Sequence, residues 1–180
     1  MYSENDQKLA TLILEHSTEL KAGEHVMVQL IGLNGIELVR ALVEQIREIG
    51  AHPFIQINDA DTQRMLIEQG NETFWKKQSD VDQLPLMKQM DAFIGIRASE
   101  NIYENSAASK EANKAYSEHF LRPVHFDERV NNTKWCIMRY PSAAFAMNAK
   151  RPTMEFTEFY YKACLLDYPK LREAMEPLEK

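Results

Sequence analysis

The groups in this sequence that could do chemistry are three carboxylate pairs, five histidines and two cysteines. The histidines are His16, His25, His52, His119 and His125. None stands in the H-E-x-x-H, H-x-H or C-x-x-C spacing that sets two metal donors side by side on a helix turn or hairpin. His119 and His125 lie six apart across Pro123, with Asp127 and Glu128 just after. They come nearest to a ligand set, yet they read as a helix-end histidine followed by a loop histidine. Cys136 and Cys164 sit in apolar segments with no paired framework, so buried free thiols are expected. Spacing alone supports no Ser-His-Asp or Cys-His constellation.

The carboxylate pairs are Asp59-Ala-Asp61, Asp80-Val-Asp82 and Asp127-Glu128. The first follows an apolar run and opens a helical pattern. Asp61 is expected to be the helix N-cap. Asp59 then falls just past a strand's C-terminal end, where open α/β sheets place their ligand contacts. By the same rule Arg97, Glu100, Asn101 and Tyr140 belong near one rim of the sheet. The plain reading of this rim is loop polarity and salt bridging. The functional reading is that it faces a partner domain or a substrate channel. The loop Gly32-Leu-Asn-Gly35 has neither the G-x-G-x-x-G nor the G-x-x-x-x-G-K-[ST] pattern, which disfavours a nucleotide-using enzyme. Gly35 is expected to be a turn residue with positive φ.

The elements that must position these residues follow from hydrophobic periodicity. A first helix is expected over residues 4–21, stopped by Ala22-Gly23. Strands are expected at 25–31, 53–58, 91–97 and 134–139. Between the first two, Ile36, Val39, Leu42, Val43, Ile46 and Ile49 line one helical face, and Gly50 ends that helix in a left-handed conformation. A crossover of that length implies parallel strands and a right-handed βαβ unit. Helices are expected from Asp61 to Gln69, from Glu72 to Gln78 with Asn71 as cap, and around Leu84 to Met90. One or two more should lie between Ala107 and Val130, broken near Leu121 because Pro123 disfavours helix before it. Three helices close the chain: 142–149, 153–166 with Thr153 as N-cap, and 169–178. The stripe Phe156, Phe159, Tyr160 and Ala163 should face the core with Trp135 and Phe145, and Tyr161 lies off it. The expected fold is α/β: a mostly parallel, open, Rossmann-like sheet of about four to five strands with helices on both faces.

A length of 180 residues suits one domain with a proper core. The net charge of −6 argues against a generic nucleic-acid binder. The polar, acidic N-terminus is no signal peptide, and no apolar run approaches membrane-spanning length, so a cytoplasmic protein is expected.

The stretch from Trp135 to Asp167 resembles the end of the N-terminal domain in the M29, aminopeptidase T-like, family of metalloaminopeptidases. The shared pattern is a Trp, the Tyr140-Pro141-Ser142 corner, small residues, Glu155-Phe156 and a Cys164-Leu165…Asp167 ending. Gly23-Glu-His-Val-Met-Val-Gln29, Leu38-Val-Arg-Ala-Leu42 with Gly50-Ala51, the Asp59-x-Asp61 turn, and Asp91 to Arg97 followed by Glu100-Asn101 extend the resemblance over nearly the whole chain. It implies a cytoplasmic, homodimeric exopeptidase that removes N-terminal residues from peptides with two divalent metal ions, zinc or cobalt. It also implies that the metal ligands and catalytic residues belong to a C-terminal domain and that none is present in this chain. Residues 1–180 are then one N-terminal domain that walls the catalytic cavity and limits access, inactive by itself. Lys180 is expected to be a boundary within a longer protein. The alternative is an independent α/β binding or interaction module that shares only the architecture.

Overall fold

The computed structural model describes residues 3–175. Four strands form one all-parallel sheet: β1 (His25–Ile31), β2 (His52–Asn58), β3 (Ala92–Arg97) and β4 (Lys134–Arg139), in the order β2-β1-β3-β4. The expected α/β class and parallel sheet are therefore found, with four strands. From β1 the chain steps outward to β2, then crosses back over β1 to reach β3. Right-handed crossovers place the connecting helices of these two steps on opposite faces. The switch point lies between the C-terminal ends of β1 and β3, where such sheets open a crevice.

One face is covered by α1 (Glu4–Leu12), α2 (Ile36–Ile49) and α9 (Thr153–Cys164). Val26, Val28 and Leu30 of β1 and Ala92, Ile94 and Ile96 of β3 point into this layer and are fully buried. Alternation along the strands sends Met27 and Phe93 to the other face, where they meet Met87, Met90 and Val124. That face carries α3 (Ala60–Gln69), α4 (Glu72–Gln78), α5 (Leu84–Met87), α6 (Lys110–Tyr116) and α7 (Val130–Asn132). Two short helices complete the described chain, α8 (Ala143–Asn148) and α10 (Tyr168–Met175). The part of the last expected helix beyond Met175 lies outside the described residues.

Several local expectations need correction. The first helix ends at Ser17 after a π-type turn over Ile13–Ser17, and Thr18 closes it by donating backbone N–H and hydroxyl to the Ile13 carbonyl. No break occurs before Pro123. A π-wound segment, Ser117–Arg129, runs through it. Wider winding tolerates a residue that lacks an N–H and pushes the preceding turn's carbonyl aside. Gly35 has φ −91°, and Gly32 carries the positive φ of 83°. Gly35 is small for lack of room: a Cβ there would lie 2.9 Å from Leu30 Cδ1. At Gly32 a Cβ would lie 2.5 Å from the Ala98 carbonyl oxygen, so this glycine lets the β1 exit approach the β3 exit.

On α9 the expected stripe holds at Tyr160, which packs half-buried against the core, but the buried side of the helix is rotated. Tyr161 is buried at 6% exposure, while Phe159 is 66% exposed. Helical spacing alone did not identify which side of an aromatic-rich helix meets the sheet. Pro152 precedes α9 in the cap position, and Thr153 makes no side-chain cap. Trp135 stays exposed on the edge strand, its ring beneath the Arg129 guanidinium at 4.9 Å, and Phe145 is half-buried beneath that of Arg139 at 5.2 Å. Both cysteines are free and half-buried, and burial pushes the Cys136 thiol pKa up.

Candidate functional site

The C-terminal ends of β1, β2 and β3 open into a cleft of about 570 Å³, roofed by α3, α4 and the Ser117–Arg129 segment. Its size is that of a small-molecule site (roughly 300–1,000 Å³). The floor is built by strand register. Gln29 of β1 is aligned with Gln56 of β2, each four residues after its strand's initial histidine. The same alternation that buries Val28 and Leu30 on one face turns both amides to the other.

These amides form a directional ladder. Arg97 Nη1 donates to Gln29 Oε1 (2.9 Å), Gln29 Nε2 to Gln56 Oε1 (3.3 Å), Gln56 Nε2 to Gln83 Oε1 (2.9 Å), and Gln83 Nε2 to Asp82 Oδ2 (2.7 Å). Each partly buried amide thus has partners, as buried polar groups must. The far wall is aromatic. Tyr116 and Phe120 stack at 5.4 Å, and Trp75 packs 4.6 Å from Tyr116. The Tyr116 hydroxyl accepts from Gln63 Nε2 (2.9 Å), and burial pushes its pKa up.

Electrostatically the site is unbalanced. Burial pulls the Arg97 pKa down, and the neighbouring Arg129 charge adds to that. Among the described residues no carboxylate lies within salt-bridge distance of either arginine. Arg129 is 5% exposed, held against the Phe93 ring at 5.1 Å as well as Trp135, and its Nε and Nη1 find no acceptor. His125, on the cleft wall beside Phe93, is pushed down to about 4 by burial and by Arg129 and Arg97, so it is neutral at pH 7.

Of the five rim residues singled out in the sequence, Asp59 and Arg97 line this cleft. Asp59, not Asp61, is the N-cap of α3: its Oδ2 accepts from the Thr62 N–H and hydroxyl, both at 2.8 Å. Those bonds hold its carboxyl pKa below the usual range. Asp61 sits in the first turn and pairs with Arg64. Glu100 is exposed. Asn101 is also exposed, and donates to Glu104 Oε2 at 3.1 Å. Tyr140 lies on the opposite face, where its hydroxyl donates to Asp6 Oδ1 at 3.0 Å. His125, expected in a loop, lies inside the helical Ser117–Arg129 segment on the cleft wall; sequence reasoning missed the three glutamines, Trp75 and Tyr116. The signal for two of them was a polar residue at the same offset in consecutive apolar strands.

Among the described residues no three His, Cys, Asp or Glu side chains gather as a cation site. His119 lies 3.6 Å from Glu72 alone, and His125 is turned to an aromatic ring. Among the described residues the donors lie too far apart to form a shared ligand set. Among the described residues no helix is long and apolar enough to cross a membrane.

Comparison with known proteins gives the following. The family model described as thermophilic metalloprotease (M29) matches residues 2–176. Among solved structures, wild-type AmpT from Thermus thermophilus superposes with a TM-score of 0.63 at 17% identity, covering 89% of this chain and 42% of that one. This chain thus spans less than half the length of AmpT, and the likeness is one of fold. A protein of the alcohol dehydrogenase superfamily from Novosphingobium aromaticivorans aligns at 13% identity over 92% of this chain and 49% of its own, with a TM-score of 0.34. No curated protein matches.

Proposed function

The chain belongs to the M29 family of thermophilic metalloproteases, and on that footing we propose that it is the N-terminal, substrate-access domain of a metal-dependent aminopeptidase. The observation that carries this reading is the span of the family match, residues 2–176, set beside the 42% of AmpT that the same fold occupies. The divalent ions, zinc or cobalt, are assigned to a C-terminal domain. They would supply an activated water and polarise the scissile carbonyl. This chain's part is to wall the catalytic cavity and restrict which peptides enter it. The large apolar side chains left exposed on α8 and α9, Met147 (74%), Met154 (79%) and Phe159 (66%), offer a surface for a partner domain to cover. The parent enzyme is proposed to be a cytoplasmic homodimer acting on peptides.

The test is hydrolysis of leucine p-nitroanilide by the purified 180-residue chain with added zinc, cobalt or manganese. No turnover is expected. Metal-dependent cleavage that scales with chain concentration overturns the assignment of the chemistry to another domain. The intact mass of the native gene product supplies the second check. It should be well above the 20.9 kDa of these residues, and a value equal to it overturns the domain assignment.

A further inference from the structure

The cleft at the sheet's switch point holds opposite charges at two ends and an aromatic wall between them. Arg97 Cα is aligned with Ile31, and Ile31 with Asn58. Two strand spacings, about 9–10 Å, therefore separate the backbone of Arg97 from that of the residue before Asp59. Arg97 and Asp59 both line the cleft. We propose that this cleft binds a free α-amino acid with a large apolar side chain, its carboxylate on Arg97, its ammonium on Asp59, and its side chain on the Tyr116–Phe120 wall.

Three observations carry the carboxylate end. Arg97 uses one guanidinium nitrogen on the Gln29 amide oxygen and, among the described residues, has no carboxylate partner. A desolvated cation without a counterion is costly, and a ligand anion relieves that cost. Arg129, buried on the same face of the sheet with two nitrogens lacking acceptors, adds positive potential, and neutral His125 contributes no charge. The amide ladder fixes the Gln29 oxygen and so holds the Arg97 fork in place.

The ammonium end rests on Asp59. Its Oδ2 is committed to the Thr62 donors, which keeps the carboxyl ionised and leaves the second oxygen for a cation. A phosphate fits less well, since Arg97 is the one cation on the cleft wall among the described residues and Asp59 would repel a second negative charge. The apolar wall selects a large side chain, because burying an aromatic ring against stacked rings is favourable in itself. The proposal depends on this chain alone and not on the peptidase reading. Binding is measured without turnover, so it stands or falls whichever way the hydrolysis assays go.

The experiment is calorimetric titration of the full chain with L-phenylalanine at neutral pH, with 3-phenylpropionate and phenethylamine as probes lacking one recognised feature each and inorganic phosphate as a bare anion. Saturable one-to-one binding of phenylalanine is expected, with each probe weaker by about tenfold or more. Arg97→Gln should remove binding, Arg97→Lys should restore part of it, and Asp59→Asn, which keeps the helix cap, should weaken it about tenfold. Absence of saturable binding, phosphate binding as tightly as phenylalanine, or wild-type affinity in folded Arg97→Gln overturns the proposal. If Arg97→Gln fails to fold, unchanged affinity in Asp59→Asn overturns it instead.

Discussion

Asp6 and Arg97 are both taken out of water near the same sheet, one on each face, and their surroundings differ. Asp6 is 2% exposed under α9, and its carboxyl accepts from Ser3 Oγ (2.8 Å), Tyr140 (3.0 Å) and Tyr161 (2.7 Å). The three partners come from the chain start, the exit of β4 and α9, so the network ties distant segments together. Burial raises the pKa of both phenols, Tyr140 to about 12, which keeps them as donors. Arg97 has an amide for a partner and a second arginine for a neighbour. The first arrangement is closed and serves the fold. The second leaves capacity unused, which is the condition for recognising something from outside.

Substitutions should separate the two faces. The largest effect is expected from Asp6→Ala, which takes the shared charged acceptor from the buried Tyr161 and the half-buried Tyr140 phenols and leaves them only each other at 3.2 Å. A loss of about 4 kcal/mol is expected from the usual cost of unsatisfied buried groups, read as a lower urea midpoint. Phenylalanine affinity of the folded fraction should not change. A stability loss under 1 kcal/mol would show that water enters and completes the network, and the contrast between the faces would weaken.

Acidification tests the other face. The His125 pKa of about 4 lies below the ordinary 6.5, so the fold prefers the neutral ring. The unfolded chain then binds the extra proton between these values, and stability rises with pH across that window. Above pH 6.5 the contribution is level. From there down to about pH 4 roughly 3 kcal/mol is lost. Thermal melts of wild type and His125→Gln should converge in acid. Parallel curves would mean that the ring is hydrated in solution.

Interrupting the ladder should matter less. Gln56→Ala removes two side-chain hydrogen bonds on the wall of an open cleft, and about 1 kcal/mol is expected because water can replace them. Ligand affinity should fall further than stability does, since the Gln29 oxygen loses its restraint. The smallest effect is expected at Phe159, which the sequence stripe assigned to the core. At 66% exposure, Phe159→Ser should shift stability by less than about 0.5 kcal/mol. A loss above 2 kcal/mol would restore the stripe and overturn the observed rotation of α9.

The elements themselves were largely legible. The spans of β1, β4, α2 and α4 match their expected limits, because apolar runs, Asn71 as cap and Gly50 as left-handed stop are local signals. Other local signals misled. Pro123 marks a helix boundary in isolation, yet packing of Val124 and Arg129 against the sheet sustains a wider winding through it. At the Asp59-Ala-Asp61 turn both carboxylates are chemically fit to cap, and the helix starts at Ala60, with Asp59 extended before it as the cap.

The candidate site was half legible. Asp59 and Arg97 could be named because strand ends in an α/β sheet predict a rim, and rim position follows from sequence order. The sequence could not say that Tyr140 would cross to the other face. It could not show that Gln83, Trp75, Tyr116 and His125, spread over two connecting segments, would converge on the same cleft. By itself the sequence determined the element order, the parallel sheet and the family pattern, since these depend on periodicity and motif order along the chain. Only the tertiary structure decided which polar groups were left with partners and which were not. Strand order, register and helix rotation set those distances, and each is an outcome of packing the whole domain.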